Sequence, residues 1–356
     1  MFPVRPPQTP RLLLPPNHAK PNEQAAAGAR SAGSTNTPVG PFGHLKSAPP
    51  RSRLLMAQPK APSGAPTPRF DRNDPAAWRL RSTDDISGLP PTVNTLGLRE
   101  LRLSGSASIS SEAQVQELSR LWRGSLHVID LRQEPHAVVE GVPVTWIAGR
   151  NWAGIGKSRE EALGHEQALI EKFRHEKEAH TLQSYEDLAK GRPPKTVTLS
   201  GASAKDVASL VTAAGVAYTR LMVSDHLRPS DEDVDLFIAT VRQLAPGTGL
   251  HIHCKGGMGR TMTHMAMYDM LHNAGTVSAA DILARQAALG GGYDLAASRG
   301  NPATQAFHDD RLTFLKEFHA FAMANPKGQP QTWSEWLDLQ PVQAGRAEGP
   351  RRNSVA

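Results

Sequence analysis

The 356-residue sequence predicts an α/β protein with a mostly parallel central sheet flanked by helices, preceded by a disordered N-terminal leader. Short strand-like runs alternate with helical stretches through most of the chain, and this alternation is typical of a mostly parallel sheet. The first 73 residues differ, because they are crowded with Pro, Ser, Ala, Gly and Thr and hold too little apolar surface to fold. We therefore expect a leader at 1–73, one globular domain at 74–339 and a polar tail at 340–356.

Each element of the expected domain follows from local patterning. Runs of β-branched and apolar residues predict strands at 126–131, 195–199, 217–223 and 249–253. Apolar residues at helical spacing predict helices at 159–180, 202–214, 234–244, 261–271, 279–289 and 307–324. Ser230 and Asp231 are well placed to cap the helix that follows them.

Composition limits the functional classes. The chain carries 40 Lys+Arg against 34 Asp+Glu, a formal charge of +6, which suits an anionic ligand. No basic stripe with interleaved aromatics appears, so we expect no nucleic-acid partner. A single cysteine excludes a disulfide framework and suits a reducing compartment at the place of action. The early apolar run at 12–14 is too short for a signal peptide, and no stretch predicts stable membrane insertion.

The single cysteine lies in the segment 253–261, which reads His-Cys-Lys-Gly-Gly-Met-Gly-Arg-Thr. Its glycines allow backbone N–H groups to turn inward and bind a dianion, and the helix that follows directs its N-terminus at the same anion. This field should stabilise Cys254 as a thiolate nucleophile, while Arg260 can hold two phosphate oxygens at once. We therefore predict a phosphate-binding loop that contains Lys255, Gly256, Gly257, Met258 and Gly259.

Zinc binding is the main alternative for this segment. Imidazoles and a thiol lie close together in sequence, at His251, His253, Cys254 and His264. However, there is no second cysteine and no remote His pair to complete a site. We therefore expect neither a metal nor a cofactor.

A phosphate ester also needs a proton for its leaving oxygen, and an acid on a mobile loop can supply it. Asp225 lies in the segment 223–229, after a predicted strand and before a predicted helix. The alternative is that Asp225 caps that helix, but Ser230 and Asp231 are better placed to do so. We therefore predict that Asp225 is the general acid.

The cysteine loop and its upstream aspartate resemble those of protein-tyrosine-phosphatase-type enzymes. Further blocks are similar to the tyrosine-phosphatase-like inositol phosphatases, also called cysteine phytases, and they lie at 104–107, 130–136, 151–153, 268–274 and 281–286. The resemblance runs from about residue 96 to residue 325 and implies a tyrosine-phosphatase-like core. The bacterial family includes type III secreted effectors of plant pathogens, and a Pro/Ser-rich leader without a cleavable signal suits that branch.

The resemblance implies a substrate with many phosphates on an inositol ring, phytate being the leading case. It implies that Cys254 is the nucleophile, Arg260 the phosphate clamp and Asp225 the acid. It further implies that Thr261 assists turnover and that His253 tunes the thiolate.

The resemblance also suggests contacts with the substrate at the rim of the pocket. Arg99 falls where the family places a substrate-binding arginine, and Lys255 adds a cation where many relatives have a neutral or acidic residue. Further basic residues are candidate contacts, namely Arg228, Lys195, Arg285 and Arg311. A small partial barrel packs beside the core in this family, but the helical pattern between 151 and 195 does not predict it here.

Three other functions are considered. A protein tyrosine or dual-specificity phosphatase would share the mechanism, but no loop among the Tyr and Phe residues offers an aromatic clamp. A phosphate-binding module without activity, or a rhodanese-type sulfurtransferase, would have no use for Asp225.

A secreted effector would leave through a type III system, with a possible secretion chaperone for the leader, and act in the host cytoplasm or nucleus.

Overall fold

The computed structural model of the protein describes residues 59–340, apart from 75, 177, 299–300 and 327–329. The leader is thus outside the described residues as far as residue 58, as is the tail from residue 341. Within the described part, two β layers and surrounding helices form a mixed α/β fold. The predicted fold class is confirmed.

The central sheet has five strands in the order β2-β3-β10-β4-β9. All neighbours pair in parallel except β2, which runs antiparallel to β3 at one edge. The described strands of this sheet are β2 (Arg81–Ser82), β3 (Leu103–Ser106), β4 (Leu126–Arg132), β9 (Ala217–Val223) and β10 (Gly249–His253). Because parallel strands end at one edge of a sheet, the loops after β4, β9 and β10 lie together there.

A second, antiparallel layer lies beside the central sheet. Three strands pair in the order β1-β6-β5 and two more form the pair β7-β8. They are β1 (Thr67–Phe70), β5 (His136–Val139), β6 (Val142–Ile147), β7 (His180–Gln183) and β8 (Thr196–Leu199). An isolated bridge between Phe70 and Ser184 joins the two groups. A small strand layer beside the core is therefore present, although the helical pattern at 151–195 did not predict it.

The described helices cover both faces of the central sheet. They are α1 (Glu112–Leu121), α2 (Arg159–His175), α3 (Tyr185–Ala189), α4 (Val207–Ala213), α5 (Asp231–Arg242), α6 (Gly259–Asn273), α7 (Ala279–Leu289), α8 (Pro302–Ala324) and α9 (Trp333–Leu339). Helix α6 is the central one, since its residues from Arg260 to Met270 are all buried. None of the helices in the described part of the chain is long and apolar enough to cross a bilayer.

Several predicted helix boundaries were wrong. The helix expected at 159–180 ends at His175, where the chain turns into β7, and the helix expected at 202–214 begins only at Val207, because Asp206 caps it. Residues before 74, where we expect the domain to begin, also belong to the described fold, since β1 pairs with β6 and Phe70 is buried. Helix α5 begins after Ser230, whose hydroxyl accepts a hydrogen bond from Asp233 N as a cap.

Candidate active site

The predicted phosphate-binding loop connects the end of β10 with the start of α6. Gly257 has a left-handed φ of +66°, and a Cβ there would lie 2.5 Å from Ala107 N. Any larger residue would therefore collide with the segment after β3. A Cβ at Gly259 would lie 2.5 Å from Arg311 Nη1, whereas a Cβ at Gly256 would meet nothing within 4 Å. The loop thus requires glycine at Gly257, whereas at Gly259 the opposing atom is the end of a flexible arginine side chain, which can shift.

Cys254 lies at the base of this loop and is 3% exposed. The hydroxyl of Thr261, in the first turn of α6, donates a hydrogen bond to Cys254 Sγ at 3.1 Å. A neutral donor at this distance stabilises negative charge on sulfur. The structure therefore brings together the predicted nucleophile and the residue expected to assist it.

Arg260 is held in place by a carboxylate that sequence reasoning missed. Glu134 accepts two hydrogen bonds from it, at 2.6 Å from Nη1 and 2.9 Å from Nη2. Burial alone would raise the pKa of Glu134, but the cations of Arg260 and Arg132 outweigh burial and lower it. The Nε of Arg260 is buried without a partner in the described structure, so one donor of the clamp is unused by the protein.

Asp225 lies in the loop after β9, within reach of the clamp. Its Oδ1 is 3.4 Å from Arg260 Nη2, and its Oδ2 accepts a hydrogen bond of 2.7 Å from Asn151 Nδ2. The backbone carbonyl of Asp225 accepts another from Trp152 Nε1 at 2.9 Å. Burial alone would raise the pKa of Asp225, but Arg260, His226 and Asn151 lower it to about 2. Without substrate the carboxyl group is therefore ionised.

His253 is fully buried directly before the nucleophile. Its Nε2 lies 3.9 Å from Asp130 Oδ2. Burial lowers the pKa of His253 to about 4, against the attraction of Asp130. The imidazole is therefore neutral near pH 7, and any influence on Cys254 comes from a dipole rather than a charge.

Lys255 is not at the solvent-exposed rim, where the sequence analysis expected it. It is buried, with Nζ 3.1 Å from Asn151 Oδ1, 3.6 Å from Asp71 Oδ1 and 3.2 Å from the centre of the Tyr185 ring. Burial lowers the pKa of Lys255 to about 8, against the opposing pull of Asp71. The ammonium group of Lys255 therefore already interacts with a buried carboxylate and an aromatic ring within the protein.

Two arginines that sequence reasoning missed lie beside the loop. Arg81 donates a hydrogen bond of 2.6 Å to the carbonyl oxygen of Gly257, and Arg79 donates one of 2.9 Å to that of Gly256. Burial lowers the pKa of Arg81 to about 10, while the nearby Cys254 raises it. No local pattern marks either residue, because they reach the loop only when β2 pairs with β3.

Arg99 is placed away from the loop. It begins a short 3₁₀ helix, Arg99–Leu101, directly before β3, at the amino end of the sheet. Cys254 follows the carboxyl end of the parallel strand β10, so the two residues lie at opposite edges of the sheet. The expected contact between Arg99 and substrate therefore has no support in this geometry.

The remaining basic candidates have different surroundings. Arg228 pairs with Asp231 at 3.0 Å and covers the Phe314 ring, and Arg285 is fully buried in an ion pair with Asp269. The structure therefore assigns these two to packing within the fold. Lys195 is exposed in the turn before β8.

Among these candidates, Arg311 alone is placed next to the loop. Its Nη2 donates to the carbonyl oxygen of His226 at 3.1 Å, and its Nη1 lies beside Gly259. Arg311 thus connects α8 with both the acid loop and the start of α6.

Two of the histidines near Cys254 make hydrogen-bond contacts that do not suit zinc binding. His251 lies 2.9 Å from the hydroxyls of Ser104 and Ser106, and His264 Nδ1 lies 3.0 Å from the Arg260 carbonyl oxygen. Across the described residues, no group of three or more His, Cys, Asp or Glu side chains could hold a metal ion.

A cysteine at the base of an anion-binding loop, an arginine clamp and an aspartate beside it define a phosphatase of the protein-tyrosine-phosphatase (PTP) type. The sequence model of the PTP-like phytase family, whose description reads 'Inositol hexakisphosphate', matches residues 129–272. A PTP-like phytase from Bdellovibrio bacteriovorus is 33% identical, with a TM-score of 0.63 over 80% of this chain and 98% of its own. The chain belongs to the PTP-like phytase family, which confirms the resemblance found in the sequence.

Other relatives extend this comparison. The PTP-like myo-inositol phosphatase from Mitsuokella multacida, solved in complex with myo-inositol-(1,3,4,5)-tetrakisphosphate, has a TM-score of 0.66 at 29% identity over 77% of this chain and 49% of its own. Effector protein hopD2 of Pseudomonas syringae pv. tomato is 37% identical over 72% of this chain. The chain spans 56% of the length of hopD2. The protein AvrBs1.1 of Xanthomonas campestris pv. campestris is 40% identical over 99 residues, which are 27% of this chain and 95% of its own.

Proposed function

We propose that the protein hydrolyses phosphomonoesters of highly phosphorylated inositols, with phytate as the leading substrate, through a cysteinyl-phosphate intermediate. The observation that carries this proposal is that Thr261 contacts Cys254 and that Asp225 lies beside Arg260, so that the four residues meet at the phosphate-binding loop. The family supports phosphatase chemistry, and the M. multacida relative was solved with an inositol phosphate.

The geometry suggests two steps. In the first, Cys254 Sγ attacks phosphorus, the bond from phosphorus to the ester oxygen breaks, and Asp225 gives its proton to that oxygen. In the second, water attacks phosphorus, Asp225 takes a proton from the water, and the bond between sulfur and phosphorus breaks. Inorganic phosphate leaves, and the hydrogen bond from Thr261 stabilises the released thiolate.

The proton step requires a change at Asp225. Its carboxylate lies close to Arg260, which lowers its pKa. A bound phosphate dianion would face the same guanidinium and offset its charge. The pKa of Asp225 should therefore rise when substrate binds, so that the acid becomes protonated when it is needed.

Charge near the loop favours a substrate with several phosphates. Only one phosphate can lie over Cys254, so the others must meet cations beside it. Arg79, Arg81 and Arg311 lie around the loop, and they replace Lys255 and Arg99 as our candidates for these contacts. Exposed charges are screened over about 8 Å at physiological salt. Added salt should thus lower kcat/KM for phytate more steeply than for a small monophosphate.

The test compares phytate, a small alkyl monophosphate and a phosphotyrosine peptide at equal concentrations. Arg81→Gln should lower kcat/KM for phytate at least about 10-fold and that for the small ester much less, as expected for one lost charged contact. Arg120→Gln is the matched control, because Arg120 lies on the exposed surface of α1. Phytate turnover no faster than peptide turnover, or equal losses on both esters, would contradict the assignment.

One observation favours a second candidate, a protein tyrosine phosphatase. The rings of Trp152 and Phe307 pack edge to face, with centroids 6.2 Å apart, and Trp152 contacts the acid loop. The sequence analysis looked for an aromatic clamp among Tyr and Phe and did not consider this tryptophan. Under this candidate, Trp152→Ala should lower peptide turnover more than phytate turnover in the same assay.

For localisation, we propose export through a type III system, with a possible chaperone for the leader, and action in the host cytoplasm or nucleus. The support is the similarity to effector protein hopD2, together with the Pro/Ser-rich composition of residues 1–58. The test is delivery of a reporter-tagged full chain by a type III-competent bacterium. If a chain that begins at Pro59 is delivered as well as the full chain, the leader contains no secretion signal.

A further inference from the structure

Asn151 is held between two charged groups of the site. Its Nδ2 donates a hydrogen bond of 2.7 Å to Asp225 Oδ2, and its Oδ1 lies 3.1 Å from Lys255 Nζ. The residue is buried and has a left-handed φ of +67°. Its side-chain amide thus links the lysine of the phosphate-binding loop directly to the acid.

Lys255 decides which way this amide faces. An ammonium group has only donors, so it requires the amide oxygen and repels the amide nitrogen. Lys255 is itself fixed, because its Nζ lies 3.6 Å from Asp71 Oδ1 and against the face of the Tyr185 ring. The Nδ2 of Asn151 must therefore face Asp225.

The orientation of the amide determines which oxygen of Asp225 can carry the proton. The hydrogen bond that Oδ2 accepts from Asn151, at 2.7 Å, is shorter than the 3.2 Å bond that Oδ1 accepts from the His226 N–H. A carbonyl oxygen accepts more strongly than the hydroxyl oxygen of a protonated acid, so the shorter bond favours the carbonyl form at Oδ2 and the proton at Oδ1. Oδ1 faces Arg260 Nη2 at 3.4 Å and the backbone N–H of His226 at 3.2 Å, and it can still accept from the latter while it carries a proton. The His226 ring is 3.7 Å from Oδ2, beyond hydrogen-bond distance.

We propose that Asn151, oriented by Lys255, is a positioning residue that keeps the acidic proton of Asp225 on Oδ1. Oδ1 is the carboxyl oxygen that faces Arg260, the residue expected to hold the phosphate group of the ester. The inference rests on the proposed phosphatase function and adds to it a specific role for the pair Asn151–Lys255. In this role Lys255 acts on the proton donor and not on a distal phosphate.

The experiment uses the dependence of turnover on the leaving group. An alkyl phosphate, such as an inositol monophosphate, needs a proton on its leaving oxygen, whereas 4-nitrophenyl phosphate releases a stable phenolate and needs little help. Asn151→Leu in the full chain should lower kcat on the alkyl ester about 10²-fold, within the range of general acid catalysis. Its kcat on the aryl ester should change less than about 3-fold.

Three further single variants and one double variant make the test specific. Asn151→Asp places an acceptor against Asp225 Oδ2, which would draw the proton to the wrong oxygen, so it should reproduce the loss on the alkyl ester. Lys255→Met frees the amide to rotate and should do the same, while Lys255→Arg keeps a donor-only cation and should restore most of the activity. In an Asp225→Asn background, Asn151→Leu should cause no further loss, because the proton donor is already absent.

The outcomes separate this inference from the proposed function. If the unmodified chain hydrolyses neither ester, the proposed function fails. If it hydrolyses both and Asn151→Leu lowers both equally, or lowers neither, the phosphatase assignment stands and the positioning role is overturned. Equal activities of Lys255→Met and Lys255→Arg on the alkyl ester would overturn the part assigned to Lys255.

Discussion

The guanidinium of Arg260 donates two hydrogen bonds to the carboxylate of Glu134, at 2.6 and 2.9 Å, and both side chains are buried. This pairing uses the two terminal nitrogens of the arginine and leaves its Nε for a ligand. The Arg260 guanidinium is therefore fixed before any phosphate group binds, so phosphate binding costs less conformational entropy.

The first prediction concerns this pair. Glu134→Gln keeps the shape but removes one acceptor and the charge that holds Arg260. A misplaced clamp should lower kcat/KM about 10- to 100-fold on alkyl and aryl esters alike. Steady-state kinetics on both esters, with thermal unfolding as a check of folding, measure this. Glu112→Gln, at an exposed position of α1, is the matched control, and activity equal to that of the control would show that Glu134 is dispensable.

The second prediction concerns the nucleophile. Cys254→Ser keeps a side chain that can accept the hydrogen bond from Thr261, but it replaces the sulfur nucleophile with a hydroxyl, which is a much weaker nucleophile at neutral pH. Turnover of every ester should fall by several orders of magnitude, while phosphate still binds in the loop. Kinetics and calorimetric titration of inorganic phosphate separate the two effects. Turnover close to that of the unmodified chain would exclude the cysteine mechanism.

The third prediction concerns the acid. Asp225→Asn removes the proton and should lower kcat on alkyl esters about 10²- to 10⁴-fold. The unmodified chain should lose kcat as pH rises through the pKa that Asp225 has in the complex, because the acid is then ionised. The variant should lack this limb of the pH profile. A nearly silent variant would mean that another group delivers the proton.

The fourth prediction concerns stability at low pH. Glu166 accepts two hydrogen bonds from Arg220, one of them at 3.0 Å, and another from His136 N at 2.7 Å. Burial raises its pKa, but Arg220 and His136 outweigh burial and lower it from 4.5 to about 2. A lowered pKa in the folded state stabilises the protein above the unfolded pKa, and this contribution is lost as pH falls from about 4.5 to about 2.

Urea unfolding between pH 6 and pH 3 measures this contribution. Glu166→Gln should be less stable than the unmodified chain at pH 6, and the difference should shrink toward pH 3. A difference independent of pH would show that the ionisation of Glu166 does not contribute.

The fifth prediction concerns the domain boundary. The sequence analysis placed residues before 74 outside the catalytic domain, but β1 pairs with β6 and Asp71 lies beside Arg132 and Lys255. A chain that begins at Pro59 should keep full activity in vitro. A chain that begins at Asp74 should unfold at lower urea concentration and lose most activity, because Lys255 would lose its buried carboxylate partner and Arg132 would keep only Glu134. Equal activity of the two chains would contradict a role for Asp71.

The sequence by itself determined the position of the loop in the fold. The spacing from Cys254 to Arg260, the glycines between them and the strand and helix on either side are local features, so β10 and α6 were predicted within two residues. Asp225 was also chosen from its own segment of sequence. Ser230 was the better candidate for the cap of the next helix, which left Asp225 as the candidate acid.

Only the tertiary structure decided which distant residues surround this loop. Glu134, Asn151 and Arg81 reach it from separate segments. The segments of Glu134 and Asn151 resemble the family in sequence, but nothing in them indicates which residue each side chain contacts. For the same reason Arg99, chosen for its position in the sequence, lies at the opposite edge of the sheet. Local patterns predict which helices and strands form, because the spacing of apolar residues and the capping of helices depend on residues that are close in sequence. The partners of a buried charge depend on how strands pair over long separations, and this chain settles those partners only when its sheets assemble.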